Sequence, residues 1–363
     1  MNIGGWALFS LFATYLSVGA LLTVMPVIGS KRMLFGVHIP DEASEDPEAA
    51  SIKRRYVSNA ILVSVIGLAA AVLLSWLRDG EMEAAAPAAL IVQIIGNLLA
   101  MQQGRSAAIR LKAGKGWERT ADSRRVVSLS FRSGKLTISS AWYTVHVILA
   151  GISVFFAVLL WDRIPATIIT HYNGSFEPDG VSSKGFGSVF MLNIIQLFMT
   201  CIFLFTNTII RIAKQQLNPN EAAKSMEKQR RFRFATSLFL YYLSLVIILL
   251  LSYIQATMLY DWSLQTLKVI TSALPVAIMA SLILHILYLN RKGIAQSDFT
   301  SDTEEQHWKG GGAFYSNKED PSLFVAKRFG VGWTINMGHP LGWLVLVGIL
   351  AIPIGIIVIT EIL

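Results

Sequence analysis

The sequence predicts an all-α polytopic membrane protein with about eight transmembrane helices, and three observations carry that prediction. Of the 363 residues, 53% are hydrophobic and only 15% are charged, against about 25% charged in soluble globular domains. Apolar runs recur that reach the ~20 residues a helix needs to cross ~30 Å of hydrocarbon. Lysine and arginine crowd into every second connection between those runs, the bias that orients a membrane protein. The runs are far too long for barrel strands, and a helix satisfies its own backbone in lipid.

The first run, Gly5 to Ile28, lacks a basic n-region and is longer than a signal-peptide core, so it is expected to be a span. The next are about Ala60 to Leu77, Ala84 to Met101, Ala141 to Trp161, Gly187 to Ile210, Ala235 to Leu259, Leu267 to Leu289 and Leu341 to Leu363. The third is the weakest, because Gln93, Asn97 and its alanine-rich start lower its hydropathy. Connections after the first, third, fifth and seventh runs hold 27 of the 31 basic residues, counting Arg211; Arg78, Arg163, Lys184 and Lys268 are the other four. The expected location is a bacterial cytoplasmic membrane, with basic connections inside and both termini extracytoplasmic. The net charge of +8 belongs to this bias. No recognition-helix motif accompanies it, so direct nucleic-acid binding is not expected.

The expected organisation has five parts: 1–140, three spans with a basic inner connection; 141–213, two spans around an outer loop at 161–187; 214–290, two further spans; 291–340, an inner aromatic-basic segment; and 341–363, the last span. Within the inner connections, Asp41 to Glu48 is acidic and precedes Lys53-Arg54-Arg55. The stretch V-S-L-S-F-R-S-G-K-L-T-I-S ending at Ser139 alternates around Ser133-Gly134; a small cytoplasmic β-hairpin and an interfacial segment both fit. Lys214 to Phe234 reads as a helical extension. Gly310 to Gly312 reads as a hinge, since no Lys-Ser or Lys-Thr follows to make a phosphate loop. Phe314, Tyr315, Phe324, Phe329 and Trp333 make Ala313 to Pro340 too rich in large apolar groups for disorder. A tripeptide, Phe-Gly-Val, occurs at Phe35 and again at Phe329.

Trp161 to Gly187 is the longest polar connection on the outer side. It carries Ile164, Pro165, His171, Asn173, Pro178, Asp179, Gly180, Ser183 and Lys184. This stretch resembles the loop of the SdpI-like group of bacterial membrane proteins, in which an I-P-x-H-x-N-x-x-G-x-x-D pattern joins two transmembrane helices. Phe314 to Pro340 resembles a second element found in some relatives. The resemblance implies immunity to a secreted peptide with signalling to a cytoplasmic repressor. This chain is longer than the family's six-helix form.

His171, Asn173, Glu177 and Asp179 are the expected ligand-binding residues. Imidazole beside carboxylates also suits a divalent metal. Asn173-Gly174 and Asp179-Gly180 are strong turn dipeptides, so the simplest reading is a capped, compact turn. Such a loop can still present a fixed platform to a ligand. Phe324, Lys327, Arg328 and Trp333 are the expected anchors for a cytoplasmic regulatory protein, with membrane lipids the other contact of the basic face.

Within the runs, Asn193 with Gln196 and Gln93 with Asn97 are spaced to share a helix face and bond between helices. Asp and Glu are missing from the depth of every run, which disfavours an ion-coupled pump. His-Glu-x-x-His, Gly-x-Ser-x-Gly, Walker A and Cys-x-x-Cys are also missing, and Ser140 with His146 has no supporting spacing. Neither an enzyme nor a resident cofactor is expected. Cys201 is the sole cysteine, so no disulfide forms within one chain, and a core position is expected for it. The expected function is a sensor or immunity protein that meets an extracytoplasmic peptide or envelope signal. A transporter or its accessory subunit is the alternative, and an intramembrane enzyme is third.

Overall fold

The computed structural model describes residues 5–24, 26–27, 33–40, 43, 45–77, 82–117, 129–173, 176–215, 217, 221–294, 307–309, 312, 314–327, 331–349 and 351. The long helices among them are α1 (Gly5–Val24), α2 (Pro47–Leu77), α3 (Met82–Gly114), α4 (Thr144–Leu159), α5 (Phe186–Ile212), α6 (Ala222–Tyr260) and α7 (Leu264–Arg291). Short antiparallel pairs lie between them: β1 (Met33–Leu34) with β2 (Val37–His38), β3 (Thr167–Tyr172) with β4 (Pro178–Ser183), β5 (Trp308–Lys309) with β6 (Phe314–Tyr315), and β7 (Phe324–Ala326) with β8 (Trp333–Ile335).

Among the described residues six helices, α2 to α7, are long and apolar enough to cross a membrane. Two further apolar stretches are described over shorter lengths, Phe9–Val24 within α1 and Pro340–Ile349. Much of the expected last run, from 352 onward, lies outside the described residues. The helices leave large side chains facing outward, with Leu73 55%, Phe155 61% and Val158 60% exposed. A surface of that kind is stable against hydrocarbon and unstable against water. These helices mark a multi-pass membrane protein.

Helices start and stop where local chemistry directs. α2 begins well before the apolar run because Asp46 caps it: Oδ1 accepts from the backbone N–H of Glu48 at 2.8 Å and of Ala49 at 3.2 Å. Pro47 fills the first helical position, where no N–H is needed. α3 continues through the basic residues to Gly114. Lys115 then reaches back to Asp46 at 3.0 Å and Glu48 at 2.8 Å, tying the end of α3 to the start of α2. The hydrogen bond from Lys115, helped by the backbone N–H groups of Ala49 and Glu48, holds the Asp46 carboxyl below its ordinary range.

α1, α2 and α3 pack together, and α1 also lies along α7. The β1–β2 hairpin closes one end of this group, burying Leu34, Phe35 and Val37 against Tyr56, Ala60, Ala100 and Ala108. α4, α5 and α6 form the second group, and α7 joins it through α6. Polar side chains knit both: Gln93 Nε2 donates to Ser64 Oγ at 3.0 Å, whereas Asn97 bonds to its own helix at Gln93 O.

Of the two readings open for the stretch before Ser139, the hairpin is not seen among its described residues, 129–139. Leu129–Ser133 is a 3₁₀ turn, and residues 134–139 contain no strand. The alternation arises from one-sided packing, with Phe131, Leu136 and Ile138 buried. Its backbone is satisfied by helix side chains. Ile138 N donates to Ser237 Oγ at 3.0 Å, Asn207 Nδ2 to Ile138 O at 3.3 Å, and Ser237 Oγ to Asn207 Oδ1 at 2.6 Å. Gly310 and Gly311 of the expected hinge, Arg328, Phe329 and Gly330, and Asp41, Glu42 and Ser44 lie outside the described residues.

Candidate functional site

The connection between α4 and α5 forms a two-stranded ribbon. The run T-I-I-T-H-Y is rich in β-branched residues, which favour a strand. Ile168 is fully buried and packs with Ile164, Ala157, Val189 and Leu259 at the ends of α4, α5 and α6. Lys184 locks the base: its N–H donates to Ala166 O at 2.8 Å and its Nζ to Trp161 O at 2.6 Å, with the ammonium 5.1 Å over the Trp161 ring. Trp161, Phe186 and Phe190 stack around it.

All four expected ligand residues lie at the tip, arranged as two pairs. His171 Nδ1 is 2.5 Å from Asp179 Oδ1. Asn173 Oδ1 accepts from Glu177 N at 3.0 Å, and its Nδ2 donates to Glu177 Oε2 at 3.3 Å. The Asn173 pair closes the turn, with Asn173 N bonding to Glu177 O at 2.9 Å. Asp179-Gly180 is not a turn; it lies within β4, and Gly180 stands opposite His171. A Cβ at Gly180 would fall 2.9 Å from His171 Cβ, so glycine is what lets the histidine come in. The ladder shifts register on both sides of His171, which turns its ring toward Asp179. His171 is 71% exposed and Asp179 43%. Among the described residues, no group of three or more His, Cys, Asp or Glu side chains has metal-holding geometry.

The tip is also tied to the start of α7. Lys268 Nζ sits 5.5 Å over the Phe176 ring, and Phe176 has φ +61°. Burial, with Asp261 nearby, raises the Tyr172 phenol above its ordinary value. Below the ribbon a polar cluster joins α5 and α6. Asn193 Nδ2 donates to Gln196 Oε1 at 3.0 Å and Gln255 Oε1 at 3.1 Å; Gln255 Nε2 returns to Asn193 Oδ1 at 2.7 Å; Gln196 Nε2 reaches Ser252 Oγ at 2.8 Å. Beside it, a cavity of about 1080 Å³ is lined by residues of α4, α6 and α7, including Ser252 and Gln255, and by Arg163 and Asp261 from the connections that follow α4 and α6. His146 pairs with Ser244 of α6 at 2.8 Å, and Ser140 is not its partner. Cys201 on α5 is exposed on the helix surface.

At the other end of α5 the aromatic-basic segment folds onto the helices. Its centre is Asn336, which is fully buried. Its Oδ1 accepts from Asn317 N at 2.9 Å and Gly338 N at 3.0 Å, while Nδ2 donates to the carbonyls of Asn317, Asp320 and Ser322 at 2.9, 3.1 and 3.2 Å. Asp320 Oδ2 meets Lys214 Nζ at 2.7 Å and accepts from Tyr315 OH at 2.9 Å. Burial alone would raise the Asp320 carboxyl. Hydrogen bonds from Lys214 and Ser322 outweigh that and hold it below its ordinary range.

Phe324 is buried edge-on to Phe205 of α5, and Trp333 lies 5.6 Å from Phe232 of α6. These aromatic anchors therefore engage the chain's own helices. Lys327 keeps an exposed side chain although the protein packed around it lowers its ammonium below the ordinary lysine value by desolvation, and its backbone N–H bonds to Gly332 O at 3.0 Å. Sequence reasoning missed the role of Arg233, which lay within the helical extension expected from Lys214 to Phe234. It is buried and caps α5, with Nη1 donating to Ile210 O at 2.7 Å and Nη2 to Ala213 O at 3.0 Å and Lys214 O at 2.9 Å. It also missed Asn336, whose only signal is an amide within an aromatic-rich loop.

Both ends coincide with family matches. Residues 148–197, which run from α4 through the ribbon to Gln196, match DUF1648, a domain of unknown function. Residues 318–343, which include Asp320 and Asn336, match DUF5808, a family of unknown function. No curated protein and no solved structure matches the chain.

Proposed function

We propose that the chain is a sensor or immunity protein of the SdpI-like type in a bacterial cytoplasmic membrane, with eight spans and both termini outside. The β3–β4 tip meets a secreted peptide or an envelope signal, and the Asn336-centred segment holds a cytoplasmic regulator. One observation carries the reading. A solvent-exposed pair, His171–Asp179, and a folded polar unit, Lys214–Asp320–Asn336, sit at opposite ends of the same helix, α5. At ~1.5 Å per residue its 27 residues span about 40 Å, enough to join the two membrane faces. Basic residues crowd the Asn336 end, which supports placing it inside. With Phe324 and Trp333 turned toward α5 and α6, the regulator's contact falls to the exposed surface around Lys327.

The test is a strain carrying His171→Ala with Asn173→Ala, scored for peptide tolerance and for reporter output. Loss of response at normal membrane abundance is expected; an unchanged response overturns the role of the tip. The cavity between α4, α6 and α7, with Ser252 and Gln255 in its wall, favours transport as the second reading. Solute flux into reconstituted vesicles separates them, because a pure sensor carries nothing.

A further inference from the structure

A second cavity, of about 630 Å³, lies between α2 and α3 at the end away from the ribbon. Arg55, Asn59, Gln102, Gln103, Arg110 and Ser51 line it. Its chemistry is one-sided: two guanidinium groups, amides and hydroxyls, with no carboxylate in the wall. Among the described residues neither arginine has an ion pair. Glu48, which borders an adjoining cavity with Arg110, is held by Lys115 at 2.8 Å. The depth is equally specific. Leu99 lines the same cavity, and Leu62 and Leu98 beside it are 57% and 51% exposed. The cavity thus straddles the boundary between the apolar band and the basic end.

We propose that this cavity holds the headgroup of an anionic phospholipid from the adjoining leaflet. The lipid phosphate lies between Arg55 and Arg110, whose planar forks match phosphate oxygens in pairs. Asn59, Gln102 and Gln103 bond the glycerol and the remaining oxygens, and the acyl chains run down over Leu62, Leu98 and Leu99. The volume falls within the ~300–1,000 Å³ of small-ligand sites.

Native mass spectrometry of the full chain, released from nanodiscs of mixed phosphatidylglycerol and phosphatidylcholine, tests this directly. Retained phosphatidylglycerol is expected in excess over phosphatidylcholine. Arg55→Gln and Arg110→Gln should each lower its retention about tenfold or more, the factor that loss of a direct hydrogen bond to a charged group gives. Lys292→Gln removes a charge from the same end outside the cavity and should leave retention within about twofold. Equal loss in all three variants would show diffuse attraction and overturn the site. Full displacement by millimolar glycerol 3-phosphate would identify a soluble phosphate ligand and overturn the lipid. Unchanged α-helical circular dichroism in each variant confirms that the loss arises in the cavity.

Discussion

His171 Nδ1 lies 2.5 Å from Asp179 Oδ1 across the β3–β4 ribbon, and Gly180 faces the histidine so closely that any side chain there would strike it. With His171 71% exposed, such a pair contributes only about 0–1 kcal/mol to stability. His171→Ala should therefore leave the melting temperature of the detergent-solubilised protein within about 4 °C of wild type. Gly180→Ala should disturb the same contact from the opposite strand and reproduce the response of His171→Ala. If Gly180→Ala retains full response while His171→Ala loses it, the histidine acts alone, without its aspartate.

Asn336 is the reverse case. It is fully buried and holds Asn317, Asp320, Ser322 and Gly338 through backbone bonds. Asn336→Ala strands those groups, at about 1–3 kcal/mol for each one left buried and unpaired. Asn336→Asp keeps one acceptor and loses the amide donor. Both variants should make the stretch from Phe314 to Pro340 at least tenfold more sensitive to limited proteolysis, without changing helix content by circular dichroism. Equal proteolysis of wild type and Asn336→Ala would show that the segment is held by its aromatic contacts alone.

The Lys214–Asp320 contact sets a pH dependence with a definite sign. The folded carboxyl lies below its ordinary value, so the unfolded chain takes up a proton first as pH falls. Stability from this pair is complete above the unfolded carboxylate pKa of ~3.9 and is lost as pH drops through the lower folded value. Wild type and Asp320→Asn should differ by a constant amount between about pH 5 and 8, and that difference should shrink below about pH 4. Breaking a buried pair costs about 3 kcal/mol, and thermal melts over this range read it. A difference that instead grows with acid would mean the folded carboxyl titrates above its ordinary value.

Much of this was legible in the sequence because lipid imposes simple rules. The position of the α4–α5 connection followed from apolar run length, and His171, Asn173, Glu177 and Asp179 do meet at its tip. The conformation of that connection was less legible. Asp179-Gly180 carries a turn signature, yet its glycine is needed inside a strand for close approach, and T-I-I-T-H-Y shows its two-residue period only once a partner strand is known. The reverse case came before Ser139, where Phe131, Leu136 and Ile138 alternate because one face packs on α5 and α6. Arg233 and Asn336 were invisible for one reason. A buried donor that satisfies distant carbonyls leaves no local pattern, and a composition-based reading assigns it to the surface.

The membrane orientation is the premise shared by the ribbon and the inner segment, and Val181 tests it. Val181 lies on β4 and is 64% exposed, next to the register opposite His171. Cys201 is the sole native cysteine, so Cys201→Ser supplies a silent background. With 27 of 31 basic residues in the connections expected inside, Val181→Cys should react with a membrane-impermeant maleimide in intact cells. Lys292→Cys, just past α7 at the basic end, should react only after lysis. The opposite pattern would place His171 and Asp179 in the cytoplasm. A secreted peptide could then not reach them, whereas the anionic-lipid cavity at Arg55 and Arg110 would remain and simply change leaflet.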